Sequence, residues 1–348
     1  MRIIRIWAVV SLAWLAFGQQ PAAQSLTFSL FERYLESLRA QAGIPGLSAA
    51  VVQDGRVVWD KGFGSANVDR VIAADARTPY PVADLSQTIS STLLLQQCVD
   101  LGNLEVTDRV RRWISGYPES ETTVGNLLAH TSPSGTFQYD ATRFASLTGV
   151  FEQCASSRLP VKVVGEIFDR LGMTDTVPGE DLGDTSSPNR RLFTPARIAA
   201  YGEVLQRAAL PYRVDSRGRP SRSDYSARAL SAASGVVSTV RDLARFDAAL
   251  DDGVLLDRET LRLARTRAGS SLPTGLGWFV QSYDKETLVW HFGLAKDAYS
   301  SLLLKVPARG LTLLLLANSD GLSAPYSLDK GDVTKSDFAK VFLRLFVP

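Results

Sequence analysis

Strand patterns occur at both ends of the sequence with helical patterns between them, and this arrangement constrains the fold most. Near the start, Asp54-Gly55 separates two β-branched runs in GLSAAVVQDGRVVWDKGFG, which is a strong signal for a β-hairpin. Near the end, three strands are predicted over TLVWHFG, AYSSLLLKV and LTLLLLANS, with a turn at residues 307–310. The two groups can form one sheet only if the chain between them loops out as a second lobe.

Apolar periodicity predicts helices around and between these strand groups. One helix is predicted over residues 26–42, and an amphipathic helix over KSDFAKVFLRLFV closes the chain. The middle of the chain contains five mostly helical segments, at residues 84–101, 123–129, 143–156, 161–171 and 195–209. We therefore expect an α/β (α+β) fold, in which terminal helices flank an antiparallel sheet and a helical lobe is inserted.

The predicted lobes together make one domain. Residues 25–80 and 225–348 are assigned to the sheet lobe, and residues 81–224 to the inserted helical lobe. A chain of 348 residues that is 45% hydrophobic can bury a core of this size. We expect a ligand site in the cleft between the lobes.

Charge and composition exclude several classes of function. The net charge of +2 favours neither nucleic acid nor an anionic membrane surface as a partner. Two histidines and two cysteines argue against a multi-ligand zinc site, so neither a metal nor a cofactor is predicted.

The first residues, MRIIRIWAVVSLAWLAFGQQPAAQS, have the composition of a secretory signal peptide. Arg2 and Arg5 precede a short apolar run at residues 6–17, and small residues follow at cleavage spacing. A membrane anchor is the alternative, but the run is too short to span a bilayer comfortably. We expect residues 1–24 to be removed, leaving a bacterial protein that is periplasmic or secreted and has no membrane span.

Cys98 and Cys154 are the two cysteines of the chain. Export would permit a disulfide between them. Each lies in an apolar stretch of helical pattern, where a buried free cysteine is the simpler explanation. Two free cysteines are therefore expected, with the disulfide as the alternative.

Several segments follow one another in an informative order between residues 41 and 319. They are QAGIPGLSAAVVQDGRVVWDKGFGSAN, VGNLLAHTSPSG, LGMTDT, ASGVVSTVRDLARFDAAL, GLGW and HFGLAKDAYSSLLLKVPARGLTLLLLANS. In this order they resemble the serine β-lactamase-related family, which covers class C β-lactamases, penicillin-binding DD-peptidases and related esterases. The resemblance implies a β-lactamase/DD-peptidase-like fold, in agreement with the pattern of elements.

The resemblance also implies a serine hydrolase site built from three motifs. Ser-x-x-Lys, at the start of a buried helix, supplies the attacking serine and a lysine that helps to remove its proton. Tyr-x-Asn supplies a tyrosine that shuttles protons. Lys-Thr-Gly, or His-x-Gly in many relatives, lies on a strand beside the carbonyl site.

Two of these motifs are matched at least in part. His291-Phe292-Gly293 fits His-x-Gly, and the glycine would let a substrate backbone lie against the strand. A histidine that only caps a polar pocket is the alternative. In GTFQYDATRFASL, Tyr139 fits the tyrosine position, but Ala141 replaces the asparagine and cannot hydrogen-bond. Residual function for Tyr139 and a purely structural, half-buried tyrosine both stay open.

The Ser-x-x-Lys motif is not matched. Counting back from Gly102 at the family's spacing places Leu85 at the serine position and Thr88 at the lysine position. A frame moved by one residue would make Ser86 the nucleophile, with Ile89 in place of the lysine. Leu85 has no lone pair with which to attack a carbonyl carbon.

The start of this helix instead has features of a stable helix end. Asp84 as N-cap and Gln87 at N3 fit a capping box, and a carboxylate there would oppose a developing oxyanion. Leu85, Ile89 and Leu93 fit one apolar stripe. We interpret the stretch as reworked for helix stability, with drift without selection as the alternative.

Three hypotheses of function follow. The leading one is an exported family member without serine-acyl chemistry, which binds a peptidoglycan-like or other small acyl or amide ligand in the cleft, or a protein partner. The alternative is a working esterase or amidase that uses Ser86 with Tyr139 or His291. A third is a structural protein with a closed cleft. His130 is expected to be a helix-end histidine with satisfied hydrogen bonds.

Overall fold

One seven-stranded antiparallel sheet joins the two ends of the chain in the computed structural model, which describes residues 22–348 and their side chains from residue 26. The strands are β1 Gly46–Gln53, β2 Arg56–Asn67, β3 Ile72–Ala73, β4 Tyr80–Pro81, β5 Tyr212–Val214, β6 Pro220–Arg222, β7 Val237–Ser238, β8 Phe279–Tyr283, β9 Glu286–Ala295, β10 Tyr299–Val306 and β11 Leu311–Ala317. The sheet has the order β3-β2-β1-β11-β10-β9-β8, while β4-β7 and β5-β6 form separate pairs.

The predicted strand groups are confirmed and pair with each other. The hairpin turn at Asp54 and Gly55 has φ values of 49° and 72°, as a two-residue hairpin loop requires. Leu47 at the start of β1 lies opposite Ala317 at the end of β11. Because these strands come from opposite ends of the chain, the middle of the chain loops out as expected.

Ten α-helices accompany the sheet in the described part of the chain. They are α1 Ala22–Gln41, α2 Ser86–Leu94, α3 Val124–Leu128, α4 Ala141–Ala145, α5 Leu147–Cys154, α6 Leu159–Val163, α7 Pro195–Gln206, α8 Val240–Asp251, α9 Arg258–Ala264 and α10 Asp337–Phe346. Each helical segment predicted in the middle of the chain overlaps at least one of them. Two helices continue into π-helical turns, α2 at Leu95–Val99 and α6 at Val164–Asp169.

Both faces of the central strands are buried, which explains their long leucine runs. On one face, Leu313 and Leu315 pack in the same apolar cluster as residues of α1 and α10, where the rings of Phe31 and Phe342 lie 6.1 Å apart. On the other face, Leu314 packs in a second cluster that includes residues of α2, α5 and α8.

The predicted boundaries of the inserted lobe, residues 81–224, stay a prediction. The predicted signal peptide, residues 1–24, lies outside the described residues except for the first turn of α1. Between residues 22 and 348, the helices are all too short or too polar to cross a membrane.

The prediction of two free cysteines is wrong, because Cys98 and Cys154 form a disulfide. Their Cα atoms are 6.1 Å apart, within the range that disulfides span. The residues lie in the π-helical turn after α2 and at the end of α5. The sequence pattern predicted two apolar stretches but could not show that their cysteines face each other. Loop-closure theory assigns about 4 kcal/mol to a cross-link over 56 residues.

Candidate functional site

The chain enters α2 through a tight turn that lies against β9. Ala83 has a φ of 50°, a left-handed conformation that is uncommon for a residue with a Cβ and is held by the surrounding structure. A Cβ at Gly293 would collide with the carbonyl oxygen of Val82 and the hydroxyl of Ser301. The glycine therefore accommodates the protein's own backbone, and not the substrate backbone that we expected there.

Four polar side chains form a hydrogen-bonded chain beside this turn. The backbone N–H of Asp140 donates to Nδ1 of His130 (3.2 Å). The neutral imidazole therefore carries its proton on Nε2, which donates to Oε1 of Gln87 at 2.8 Å. Gln87 donates in turn through Nε2 to the hydroxyl oxygen of Tyr139 (3.1 Å), and this hydroxyl donates to the carboxylate of Asp84.

The carboxylate of Asp84 is the end of this chain. It also accepts a hydrogen bond from the backbone N–H of Leu294 on β9. Burial raises the pKa of Asp84 to about 7, although both hydrogen bonds act in the opposite direction. The side chain therefore changes its charge near neutral pH.

The neighbouring titratable groups are neutral at that pH. Burial, together with nearby His291 and Arg143, lowers the pKa of His130 to about 3. Burial also lowers the pKa of His291 to about 4. Burial and then the charge of Asp84 raise the pKa of Tyr139 well above 10. The two imidazoles are therefore neutral, each with a single N–H, and the phenol keeps its proton.

Leu85 and Thr88 do not reach this cleft, so their predicted placement is wrong. Leu85 is fully buried in one core cluster with Ile89 and Leu93, which confirms the predicted apolar stripe. Thr88 is buried as well, and its hydroxyl donates to the carbonyl oxygen of Leu85 at 2.8 Å.

The error of one residue has its source in the helix itself. The π-helical turn Leu95–Val99 holds one residue more than an α-helical turn of the same extent. Counting back from Gly102 across this turn at a fixed spacing therefore ends at Leu85, one residue short of Asp84. Asp84 and Gln87, three residues apart, are the side chains that face Tyr139.

The predicted capping box is also wrong. The first residue of α2 follows Leu85, which provides no side-chain cap. Asp84 and Gln87 bind across the cleft instead of binding the helix backbone. Their spacing is that of Ser-x-x-Lys, which is the signal that could have identified them as site residues.

The alternative nucleophile, Ser86, is fully buried. Its hydroxyl donates to the carbonyl oxygen of Ala83 (2.7 Å) and accepts from the backbone N–H of Val236 (3.2 Å). These two backbone groups hold the hydroxyl in place, and the contacts do not join it to Tyr139 or His291.

The other predicted site residues lie close to the hydrogen-bonded chain. The ring of Tyr139 lies 4.3 Å from that of His130 and 5.2 Å from that of Phe292. His291 is buried, and its Nδ1 donates to the carbonyl oxygen of Phe292 at 2.7 Å. The two bonded nitrogens of His130, just after α3, confirm it as a satisfied helix-end histidine.

A cavity of about 460 Å³ opens beside Asp84. Ala141, at the start of α4, lies in its wall together with Tyr225, Leu294 and Lys296. The hydroxyl of Tyr225 is buried and has no hydrogen-bond partner among the described residues. The sequence carried no signal for Tyr225 or for the N–H of Leu294, because both reach the site through tertiary packing.

The described residues contain no group of three or more side chains arranged to hold a metal ion. The polar groups of the site are a carboxylate, an amide, two phenols and two imidazoles. Together they can bind a ligand through hydrogen bonds and one titratable charge.

Comparison with known proteins places this chain in a family. A family model described as Beta-lactamase matches residues 31–333. A penicillin-binding protein of Bacillus subtilis (strain 168) is 23% identical over 315 residues, which cover 77% of this chain and 67% of that protein. The chain thus spans about two thirds of the length of that relative.

Solved structures show the fold. The octameric penicillin-binding protein homologue from Pyrococcus abyssi has a TM-score of 0.74 at 18% identity, over 91% of this chain and 77% of that one. The penicillin-binding protein from Bacillus halodurans has a TM-score of 0.70 at 16% identity, over 90% and 99%. The architecture is the β-lactamase/DD-peptidase fold.

Proposed function

The chain belongs to the Beta-lactamase family, and on that premise we propose that it is an exported, non-catalytic member whose cleft binds a small ligand without becoming acylated. One observation carries the proposal. Asp84 and Gln87 occupy the cleft-facing positions beside Tyr139 at the spacing of Ser-x-x-Lys. In place of a hydroxyl nucleophile and a lysine, the site has a carboxylate and an amide.

Apart from Asp84, which itself stands at the nucleophile position, the site offers no base to activate a hydroxyl group near neutral pH. The amide of Gln87 cannot take up a proton, and Tyr139 keeps its own because its pKa is raised well above 10. Both ring nitrogens of His130 are engaged in hydrogen bonds. General-base assistance contributes on the order of 10²–10⁴ in rate, so its absence alone would leave little acyl transfer.

Asp84 also opposes the transition state of acyl transfer. Its carboxylate accepts the N–H of Leu294, a strand donor beside the site, so that this donor is not free for an oxyanion. A negative charge at this point repels a developing oxyanion, whose stabilisation by one donor is typically worth about 10²–10³ in rate.

The alternative functions receive less support. A hydrolase that uses Ser86 would need the hydroxyl of this residue to be free for attack. Two hydrogen bonds to backbone groups hold that hydroxyl instead. A purely structural protein would need a closed cleft, whereas a cavity of about 460 Å³ adjoins Asp84. The cavity favours a small ligand, of peptidoglycan-like or other acyl or amide chemistry, over the alternative of a protein partner.

Two observations support export to a bacterial periplasm or the medium. Residues 1–24 have the composition of a signal peptide. The disulfide between Cys98 and Cys154 belongs to an oxidising compartment, since such bonds are rare in the cytosol.

Fluorescent penicillin followed by electrophoresis and mass spectrometry tests the proposal. We expect no label on the wild-type protein and labelling of an Asp84→Ser/Gln87→Lys variant, because this variant restores the serine–lysine pair. Asp84→Ala/Gln87→Lys is the matched control and should stay unlabelled. An adduct on the wild-type peptide that contains residues 84–88 would overturn the proposal.

Nitrophenyl-ester turnover tests the competing hydrolase. Activity that disappears in Ser86→Ala but persists in Ser91→Ala would support catalysis by Ser86. We expect neither variant to differ from the wild-type protein, because its turnover should equal the background rate.

A further inference from the structure

We infer that the cavity beside Asp84 binds a small ligand that presents a primary ammonium group to the Asp84 carboxylate, an inference that rests on the proposed non-covalent binding. The reason is the direction of the hydrogen bonds around this side chain. Tyr139 and the N–H of Leu294 both donate to the carboxylate. A carboxylate has about four lone-pair sites, so it can accept further donors from the cavity side.

While Asp84 is ionised, this direction disfavours a carbonyl oxygen as the group bound there, because a carboxylate only accepts hydrogen bonds. A serine hydroxyl at this position would leave the N–H of Leu294 free to receive a carbonyl oxygen. Here the N–H is already bonded to the Asp84 carboxylate, and Asp84 lines the cavity. An N–H of the ligand fits that position, and an ammonium group fits it best, since charge-assisted hydrogen bonds are the strong ones.

Gln87 keeps the hydroxyl of Tyr139 oriented as a donor to Asp84. Because His130 donates to Oε1 of Gln87, the amide nitrogen faces Tyr139 and donates to it. The phenol then has its own proton available for Asp84. A lysine at position 87 would instead place a second cation next to an incoming ammonium group and repel it.

The rest of the cavity suits a small ligand with one hydrogen-bond acceptor. Its volume of about 460 Å³ lies in the range of small-molecule sites. Ala141, Ala145 and Ala233 leave room for the body of the ligand. The buried hydroxyl of Tyr225, which no described residue bonds, can donate to a neutral acceptor such as an amide carbonyl.

Asp84 is the group whose ionisation should control binding between about pH 5.5 and 8. The phenols of Tyr139 and Tyr225 hold their protons, because burial raises the pKa of both. His130 and His291 stay neutral, because burial lowers their pKa values to about 3 and about 4. At the exposed edge of the cavity lie two charged residues, Asp224 and Lys296.

Two matched amides serve as probes, β-alaninamide with its ammonium group and N-acetyl-β-alaninamide without it. Each is titrated into ¹⁵N-labelled protein while the amide resonance of Leu294 is followed. At pH 8 we expect β-alaninamide to saturate the shift and the acetylated probe to bind roughly tenfold more weakly or worse. Lowering the pH to 5.5, where Asp84 is protonated, should weaken β-alaninamide to a similar degree.

Two variants complete the test. Asp84→Asn keeps the shape of the side chain and should lose the preference for the ammonium probe. Asp284→Asn makes the same chemical change in the exposed turn at the opposite end of β9 and should bind like the wild-type protein. Equal affinity for the two probes, no saturable shift at pH 8, or an unchanged preference in Asp84→Asn would each overturn the inference. Failure of the proposed function is recognised separately, as a penicillin adduct in the mass spectrum.

Discussion

At the scale of single residues, the site is governed by a change of charge. Relative to a serine–lysine pair, Asp84 adds a negative charge when ionised, and Gln87 removes a positive one. The surrounding imidazoles do not compensate, because burial lowers the pKa of His130 and His291 far below neutrality. The cost of burying the carboxylate is therefore expressed in its own pKa, which rises to about 7.

We predict that Asp84→Asn is more stable than the wild-type protein at pH 8. The folded pKa of about 7 lies above the unfolded value of about 3.9, so this carboxyl favours the folded state at low pH. Its contribution is present below about pH 4 and is lost as the pH rises to about 7. The difference in the free energy of unfolding between the variant and the wild-type protein should grow over that interval to a few kcal/mol. This is the order of magnitude that a pKa shift of this size implies.

Urea denaturation of both proteins at pH 4.5 and pH 8 measures this difference. Both proteins contain the same histidines, so the contributions of these residues cancel when the two free energies of unfolding are subtracted. Asp284→Asn, in an exposed turn, should show no such gain. A difference that does not vary with pH would mean that Asp84 has an ordinary carboxyl pKa in the folded protein.

Single residues also show how far the site was predictable from sequence. Tyr139, Ala141 and His291 were located by their motifs, because these motifs lie on short segments with local spacing. Counting along a helix assigns Leu85 and Thr88 to the motif, and this count fails at the π-helical turn. Such a turn depends on tertiary packing and leaves no mark in the pattern of apolar residues.

At the scale of elements, one buried ion pair joins α8 to the sheet. Lys305 on β10 is 1% exposed, and its Nζ lies 2.8 Å from the equally buried carboxylate of Asp247. The same Nζ lies 2.5 Å from Asp251, one turn later on α8. Removing one member of a buried pair leaves an uncompensated charge, which costs more than the pair itself contributes.

We therefore predict that Lys305→Met lowers the free energy of unfolding by about 3–5 kcal/mol. Adding Asp247→Leu to it should recover a large part of the loss, because both fully buried charges are then gone and Asp251 keeps its ion pair with Arg265. Chemical denaturation of the two single variants and the double variant gives the coupling energy. Strictly additive losses would show that Lys305 and Asp247 do not interact.

The elements themselves were largely predictable, for reasons that differ between them. The hairpin of β1 and β2 was marked by Asp54-Gly55, and the leucine runs of β10 and β11 match burial on both faces. The sequence pattern does not predict the edge strand β8, because FVQSY is short and only its first two residues are buried. Local pattern thus predicts the central elements better than those at the edges of the sheet.

At the scale of the whole molecule, the middle of the chain shares its core with the sheet. Leu93 of α2 and Phe151 of α5 belong to the same buried cluster as Leu303 of β10 and Leu314 of β11. The cavity and Asp84 lie where the middle of the chain meets β9, so the site depends on this shared packing. The two predicted lobes therefore form one cooperative unit in our interpretation.

We predict that residues 81–224, expressed alone, do not adopt native tertiary structure, even with the disulfide oxidised. The fragment would expose the apolar side chains that pack against β10 and β11, and about 25 cal/mol is lost per Å² of apolar surface left in water. We expect far-UV circular dichroism of helices, little near-UV signal and binding of a hydrophobic dye, as in a molten globule. Residues 22–348 should show strong near-UV signal and no dye binding under the same conditions. A fragment with sharp near-UV bands and a cooperative thermal transition would instead show that the inserted lobe is an independent domain.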